Sequence, residues 1–266
     1  MVVGLAVEPA GVVTVIKAQR RCRPLRSRIT PLSGIMADEI GSAVVIGASG
    51  GIGAALIAAL SEEGVQVRGF ARSFGGADHI DLANEASIAA AAAGLGVAPS
   101  LVVVATGLLH DGDAGPEKAM AGLDPIWLAR QYAVNAIGPA LVAKHFLPAQ
   151  PRTGRTVFAA LSARVASIGD NRLGGWYGYR ASKAALNQFI RTLSVEQRRR
   201  NDRSIVVGLH PGTVDTALSR PFQSAVATDQ LFAPDRAAVQ LLDVLDGLRP
   251  ADSGKLWSWD GAEIAP

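Results

Sequence analysis

A short apolar, β-branched run, Ala43-Val44-Val45-Ile46, passes into Gly47-Ala48-Ser49-Gly50-Gly51-Ile52-Gly53 and then into an alanine- and leucine-rich segment, residues 54–63. The order predicts a strand, a glycine turn and a helix. Glycines at such a turn let the backbone approach a pyrophosphate and let helix pack closely on strand. The helix N-terminus meanwhile presents unpaired N–H groups and a partial positive charge. The spacing is G-x-x-x-G-x-G. A flexible turn is the plainer alternative, but the flanking strand and helix are what nucleotide binding requires.

Further strands recur between helical patterns, at residues 65–70, 101–105, 156–160 and 205–209. Leu101-Val102-Val103-Val104 is continuously apolar, as expected of a parallel strand buried on both faces. The fold class that follows is α/β, a single doubly wound Rossmann-type domain with a parallel sheet and helices on both faces. Its ligand crevice is expected at the carboxyl ends of the strands. A core of about 230 residues, 36–266, is long enough to bury this as one domain.

Residues 1–35 do not share that pattern. Lys17, Arg20, Arg21, Arg23, Arg26 and Arg28 are six of the chain's 26 basic residues, against the single acid Glu8. The rest carries 20 basic and 22 acidic residues, so the excess of positive charge resides in this extension. Transit peptides and nucleic-acid arms are arginine-rich and acid-poor in the same way. Met36-Ala37-Asp38-Glu39, however, resembles an ordinary start, and the expectation is a misplaced start or a disordered tail. The apolar stretches before the arginines are interrupted by Glu8-Pro9 and are too short to cross a bilayer. The lone Cys22 allows no internal disulfide, which points to the cytoplasm. With one cysteine, and with His79, His110, His145 and His210 at no metal-ligand spacing, no metal site is expected.

Tyr179-Arg180-Ala181-Ser182-Lys183 opens a helical run extending to Leu193. Four residues is about one helical turn, so the tyrosine and the lysine share a face. A neighbouring ammonium stabilises a phenolate, making the pair a candidate proton-transfer device. The same spacing also occurs in solvated helices.

Together these motifs resemble the short-chain dehydrogenase/reductase family. Gly47, Gly51 and Gly53 match its glycine pattern, with Ile46 where threonine is usual, and Tyr179 and Lys183 match its Tyr-x-x-x-Lys. Asn135 matches its mid-helix asparagine, and His210-Pro211-Gly212-Thr213-Val214-Asp215-Thr216 its Pro-Gly segment beside the nicotinamide. Ser162-Ala163-Arg164-Val165-Ala166-Ser167-Ile168, residues 170–177 and Trp257-Ser258-Trp259-Asp260-Gly261 resemble the C-factor-like branch, related to sniffer-type carbonyl reductases.

The resemblance implies hydride transfer between a nicotinamide and a carbonyl or alcohol substrate. Tyr179 would move the proton, Lys183 would lower its pKa and hold the ribose hydroxyls, Ser162 would orient the carbonyl oxygen, and Asn135 would keep a local bend and a water. Gly47, Ser49, Gly51, Ile52, Gly53, Ala105, Thr106, Pro211, Gly212 and Val214 would contact the cofactor. Asp81, followed by Leu82, matches the family's aspartate near the adenine, although a solvated turn aspartate has the same sequence. The second strand carries no acid at its end and offers Arg72, a planar cation suited to a 2′-phosphate, so NADP is expected over NAD. The family commonly forms homodimers or homotetramers through the helices containing Asn135 and Tyr179. No nucleic-acid or membrane partner is expected.

Two departures stand out. Ser162 lies 17 residues before Tyr179, a longer gap than is usual, with a glycine-rich insertion at 170–176. If the segment is matched on Ala166-Ser167, the serine column falls on Ala163, leaving Ser162 and Ser167 as rival candidates. The family's Asn-Asn-Ala-Gly is replaced by Ala105-Thr106-Gly107, where Thr106 could supply a hydroxyl. Trp176 and Leu173 fit a substrate mouth and core packing equally well. Residues 215–235, with Leu218, Pro221, Phe222 and Phe232, are expected to form an apolar lid. The alternative to an enzyme is a signalling or regulatory protein of the same fold that binds cofactor with little turnover.

Overall fold

The computed structural model describes residues 40–266. The extension 1–35, with its arginines and Cys22, lies outside the described residues. The first unit matches the expected order: β1 (Ser42–Ile46), helix α1 (Gly51–Glu62) and β2 (Gln66–Phe70). Then come α2 (Glu85–Ala93), β3 (Leu101–Val104), α3 (Pro125–Tyr132), a π-helical segment (Ala133–Ile137) and α4 (Gly138–Phe146). The second half holds β4 (Thr156–Leu161), α5 (Tyr177–Arg200) and β5 (Ser204–His210), followed by the short strands β6 (Thr213–Val214) and β7 (Leu231–Phe232). Helix α6 (Pro234–Gly247), β8 (Leu256–Ser258) and β9 (Glu263–Ile264) complete the chain.

Seven strands form one sheet in the order β2-β1-β3-β4-β5-β8-β9, parallel throughout except for β9, which is antiparallel to β8. The order in which strands are added reverses at β1, with β2 on one side and β3 on the other, which places a switch point above β1. Alternation along the strands divides the core in two. Val45, Val103, Ala159 and Val207 pack with Leu56 and Leu60 of α1 and Leu241, Leu242 and Leu245 of α6. On the other face Val44, Val102, Phe158, Ala160 and Val206 meet Ile88 of α2, Val142 and Phe146 of α4, and Leu186 and Ile190 of α5.

Local signals set the helix starts. Asn84 caps α2, its side chain accepting from the Ala86 and Ser87 amides, and Asp124 caps α3 through the Trp127 amide at 2.7 Å with Pro125 in the first turn. Gly138 is required by close approach, because a Cβ there would lie 2.7 Å from Leu82 Cβ. Among the described residues no helix is long and apolar enough to cross a membrane.

Leu60 is fully buried where α1 meets the sheet. Leu60→Ala should cost about 2–5 kcal/mol in urea denaturation with an unchanged slope, and a loss below about 1 kcal/mol would contradict the packing described.

Candidate active site

The carboxyl ends of β1, β3, β4 and β5 border a cleft of about 440 Å³. Its floor is made by close backbone approach. Gly47 is left-handed (φ +91), and a Cβ on it would sit 2.8 Å from Ala105 O; a Cβ on Gly53 would sit 2.1 Å from Gly47 O. No side chain caps the first turn of α1, so its amides remain available at the positive end of the helix. Gly47, Ser49, Gly50, Gly51 and Ile52 line the cleft here, and Gly53 supports them from behind.

Of the other expected cofactor contacts, Arg72, Asp81, Leu82, Ala105, Thr106, Lys183 and Pro211 line the same cleft. Gly212 and Val214 do not. Gly212 is left-handed (φ +77), and a Cβ on it would lie 2.7 Å from the Phe232 ring and 3.0 Å from Trp259, while Val214 is buried in the β6–β7 pair. The wall is formed instead by Thr216, Ala217 and Leu218 just beyond. The sequence reading also missed Gly107, Leu108, His110, Asp111, Arg130 and Val134 as lining residues. Arg130 pairs with Asp111, and His110 Nε2 lies 3.2 Å from Ala217 O, joining the loop after β3 to the segment after β6. Leu108, His110 and Asp111 follow the glycine beyond β3, whereas Arg130 and Val134 come from α3 and the π-helical segment, where nothing local marks them.

Tyr179 and Lys183 project from the first turns of α5, 8% and 2% exposed, with the ammonium 6.0 Å from the ring centroid. Lys183 Nζ donates to Leu161 O at 2.7 Å. Asn135 is fully buried in the π-helical segment and does not line the cleft. Its Oδ1 accepts from the Leu108 amide at 2.7 Å, and its Nδ2 donates to Leu108 O at 2.8 Å and to Ser182 Oγ at 3.1 Å. Ser182 Oγ in turn donates to Tyr179 O at 3.0 Å. The asparagine thus ties the loop after β3 to the helix that carries the Tyr–Lys pair.

The serines behave differently from the expectation. Ser162 borders the cleft, but it continues the alternation of Phe158 and Ala160 toward α5, and its hydroxyl donates to Asn187 Oδ1 at 2.8 Å. Ser167 Oγ is engaged with Pro266 O at 3.4 Å and accepts from the Asp170 amide at 3.2 Å. Ala163 and Leu109 share a small buried cluster with Tyr179.

Burial governs the electrostatics. Desolvation pushes the Tyr179 phenol up to about 12 and the Lys183 ammonium down to about 7, each toward its neutral form. The expected lowering of the phenol by Lys183 is outweighed here by the loss of water around both groups. Thr106 Oγ1 is buried without a hydrogen-bond partner. An orphan hydroxyl beside a glycine cradle and a helix N-terminus fits a dinucleotide, which carries both hydroxyls and phosphates. Among the described residues no group of three or more His, Cys, Asp and Glu could hold a metal ion.

Residues 81–227 match the model of the short chain dehydrogenase family. The chain belongs to that family. It is 34% identical over 146 residues to C-signal of Myxococcus xanthus, covering 55% of this chain and 82% of that protein. It is 30% identical over 231 residues to 1-hydroxy-2-glutathionyl-2-methyl-3-butene dehydrogenase of Rhodococcus sp. (strain AD45), covering 82% and 96%. The fold is similar to that of NADPH-bound carbonyl reductase from chicken fatty liver, with a TM-score of 0.72 and 23% identity over 88% of this chain and 98% of that one.

Lys183 links the site to stability. Its value in the folded chain lies below the ordinary 10.5, so its contribution is complete above about 10.5 and is lost as pH falls toward about 7. The stability of the native chain relative to Lys183→Met should therefore rise between about pH 7 and about pH 9.5 in urea titrations. Parallel profiles for the two proteins would show that the ammonium is not desolvated.

Proposed function

We propose that the chain is a cytoplasmic, NADP-dependent oxidoreductase that transfers a hydride between nicotinamide and a carbonyl or alcohol substrate. The observation that carries this reading is the meeting of Tyr179 and Lys183, one helical turn apart, with the glycine cradle of β1 and α1 in a single cleft. Arg72 at the end of β2, with no acid beside it, supports NADP, as does the NADPH bound by the chicken carbonyl reductase of similar fold.

Gly47, Ser49, Gly51 and Ile52 would hold the diphosphate, Arg72 the 2′-phosphate, Asp81 and Leu82 the adenine side, and Thr106 a ribose hydroxyl. Lys183 would hold the hydroxyls of the nicotinamide ribose, and Pro211 would border the ring. The bound nicotinamide supplies or accepts the hydride. In reduction Tyr179 would give its proton to the carbonyl oxygen, and in oxidation it would take one back from the alcohol. Lys183, if held as the ammonium by negative charge in the cleft, would favour the phenolate that forms when Tyr179 gives up its proton. Asn135 holds the loop after β3 against α5, fixing the phenol relative to the cradle. The helical stretches with Asn135 and Tyr179 expose Ile126, Ile137, Phe189 and Val195, which supports a homodimer or homotetramer through them.

One observation favours a second reading, that of a cofactor-binding regulatory protein with little turnover. Ser162 and Ser167 both have their hydroxyls engaged away from Tyr179, and Ala163 presents only a methyl group. A reacting oxygen would then meet one donor where two stabilise developing charge better.

The test is loss of reduced-nicotinamide absorbance by the full chain with NADPH and NADH against aldehydes and ketones. Turnover is expected with NADPH ahead of NADH, falling about 10²- to 10⁴-fold in Tyr179→Phe with nucleotide affinity retained. Ala163→Ser should raise kcat by roughly 10-fold or more by adding a second donor. Tight nucleotide binding with no turnover in either form would select the regulatory reading, and activity surviving in Tyr179→Phe would remove the phenol from the mechanism.

A further inference from the structure

The entrance to α5 is built against conformational preference. Gly174 and Gly175 both have φ +64, and Trp176 follows at φ 54, ψ 42. Among the described residues Trp176 is the only non-glycine in the left-handed region, and a bulky side chain there is disfavoured. Such a conformation persists only where its surroundings over-determine it.

Glu117 does much of this. Its main-chain carbonyl accepts from the Trp176 amide at 2.5 Å, and its carboxylate accepts from the Gly178 amide at 3.0 Å. The other carboxylate oxygen accepts from Gln131 Nε2 of α3 at 3.0 Å. No side chain of the helix's own segment caps α5, so this buried carboxylate, reaching in from a loop some sixty residues away, occupies its positive end. Gly178 leaves room for it, since a Cβ there would lie 2.4 Å from Gln131 Nε2 and 2.9 Å from Glu117 Oε1. On the other side Arg180 donates to Gly175 O, Val165 O and Gly174 O at 2.9, 3.2 and 3.1 Å.

The result is a fixed indole beside the reacting phenol. Trp176 meets the Tyr179 ring edge-on, with centroids 6.1 Å apart at 77°, and tilts against Phe222 at 5.3 Å and 60°. Phe222 meets the His110 ring edge-on at 5.9 Å. Tyr179 and Leu218 belong both to this aromatic cluster and to the lining of the cleft. Trp176 is not among the residues lining the cleft but packs against the cluster that holds Tyr179, which is, so a group bonded to a carbonyl carbon whose oxygen reaches Tyr179 would approach the indole along that ring. Rings in edge-to-face or offset contact gain from quadrupole alignment beyond the area they bury, and a saturated ring of similar size gains only the area.

We propose that Trp176 determines substrate specificity, selecting carbonyl compounds that carry an aromatic or comparably flat ring next to the reacting carbon. Glu117 is its positioning residue. The reaction in this proposal rests on the oxidoreductase reading above; the preference for a flat ring does not.

The experiment compares acetophenone with cyclohexyl methyl ketone, matched in size, on the full chain saturated with NADPH. It measures kcat/KM by nucleotide oxidation and, separately, affinity by calorimetry on the NADP⁺ complex. The phenyl compound should be favoured roughly 3- to 10-fold. Trp176→Leu should bring that ratio close to one with the cyclohexyl compound little changed, Trp176→Phe should retain most of the preference, and Glu117→Gln should reduce it. Loss of both ligands to the same extent in Trp176→Leu, or no preference in the native chain, would overturn the proposal and leave Trp176 a packing residue. A phenyl preference in calorimetry that depends on Trp176, with no turnover of either ketone, would uphold the ligand class while removing the oxidoreductase reading.

Discussion

Six of the seven strands in the main sheet run the same way, and this one constraint organises everything around it. Parallel neighbours cannot be joined by tight turns, so each pair needs a crossover, and the crossovers cover both faces with helices. The strands become fully buried and apolar, as Val102 and Val206 are, and their carboxyl ends all open on one side. Groups far apart in sequence are thereby delivered to the same rim: Gly47 from β1, Arg72 beyond β2, Thr106 beyond β3, Ser162 beyond β4 and Pro211 beyond β5. Tyr179 and Lys183 come from helix α5, and Asn135 holds that helix in register with the rim through both backbone groups of Leu108.

Within the site, desolvation and hydrogen bonding compete. Water is excluded from Tyr179 and Lys183 to an extent that favours both neutral forms, and a single carbonyl, Leu161 O, answers the ammonium. Such an arrangement responds strongly to any negative charge brought into the cleft, because little solvent remains to screen it. The glycine cradle and uncapped α1 are the features that attract that charge. A negative charge held by that cradle would therefore also favour the charged form of Lys183.

The apolar runs were legible because a strand buried on two faces has little choice of residue. Residues 101–104 and 205–209 lie where the sequence indicated, and the observed strand ends differ by a residue or so from the expected ones. The glycine turn and the one-turn spacing of Tyr179 and Lys183 were legible for the same reason, since each is a local geometric requirement. What could not be read were choices settled by non-local packing. Whether Ser162, Ala163 or Ser167 faces Tyr179 depends on which face of β4 each one leaves, and Asn187 and Pro266 decide where the two hydroxyls go. Gly212 and Val214 were misplaced because Phe232 and Trp259 fill the space on their side. Glu117 gave no signal at all, as its partner amide lies 61 residues away.

The sheet ends differently at its two margins. At one side β9 is only two residues long and runs antiparallel, with Glu263 paired to Lys255 at 2.8 Å. At the other, Arg68 of β2 pins the turn at 76–78 through Asp78 Oδ1 and Ala77 O, so a cation and a folded-back loop accompany the last strand. Unpaired strand edges invite another chain to add to them, and very short edges or charged ones discourage it. A protein whose central strands are among its most apolar segments thus carries protection against open-ended β-association at both rims.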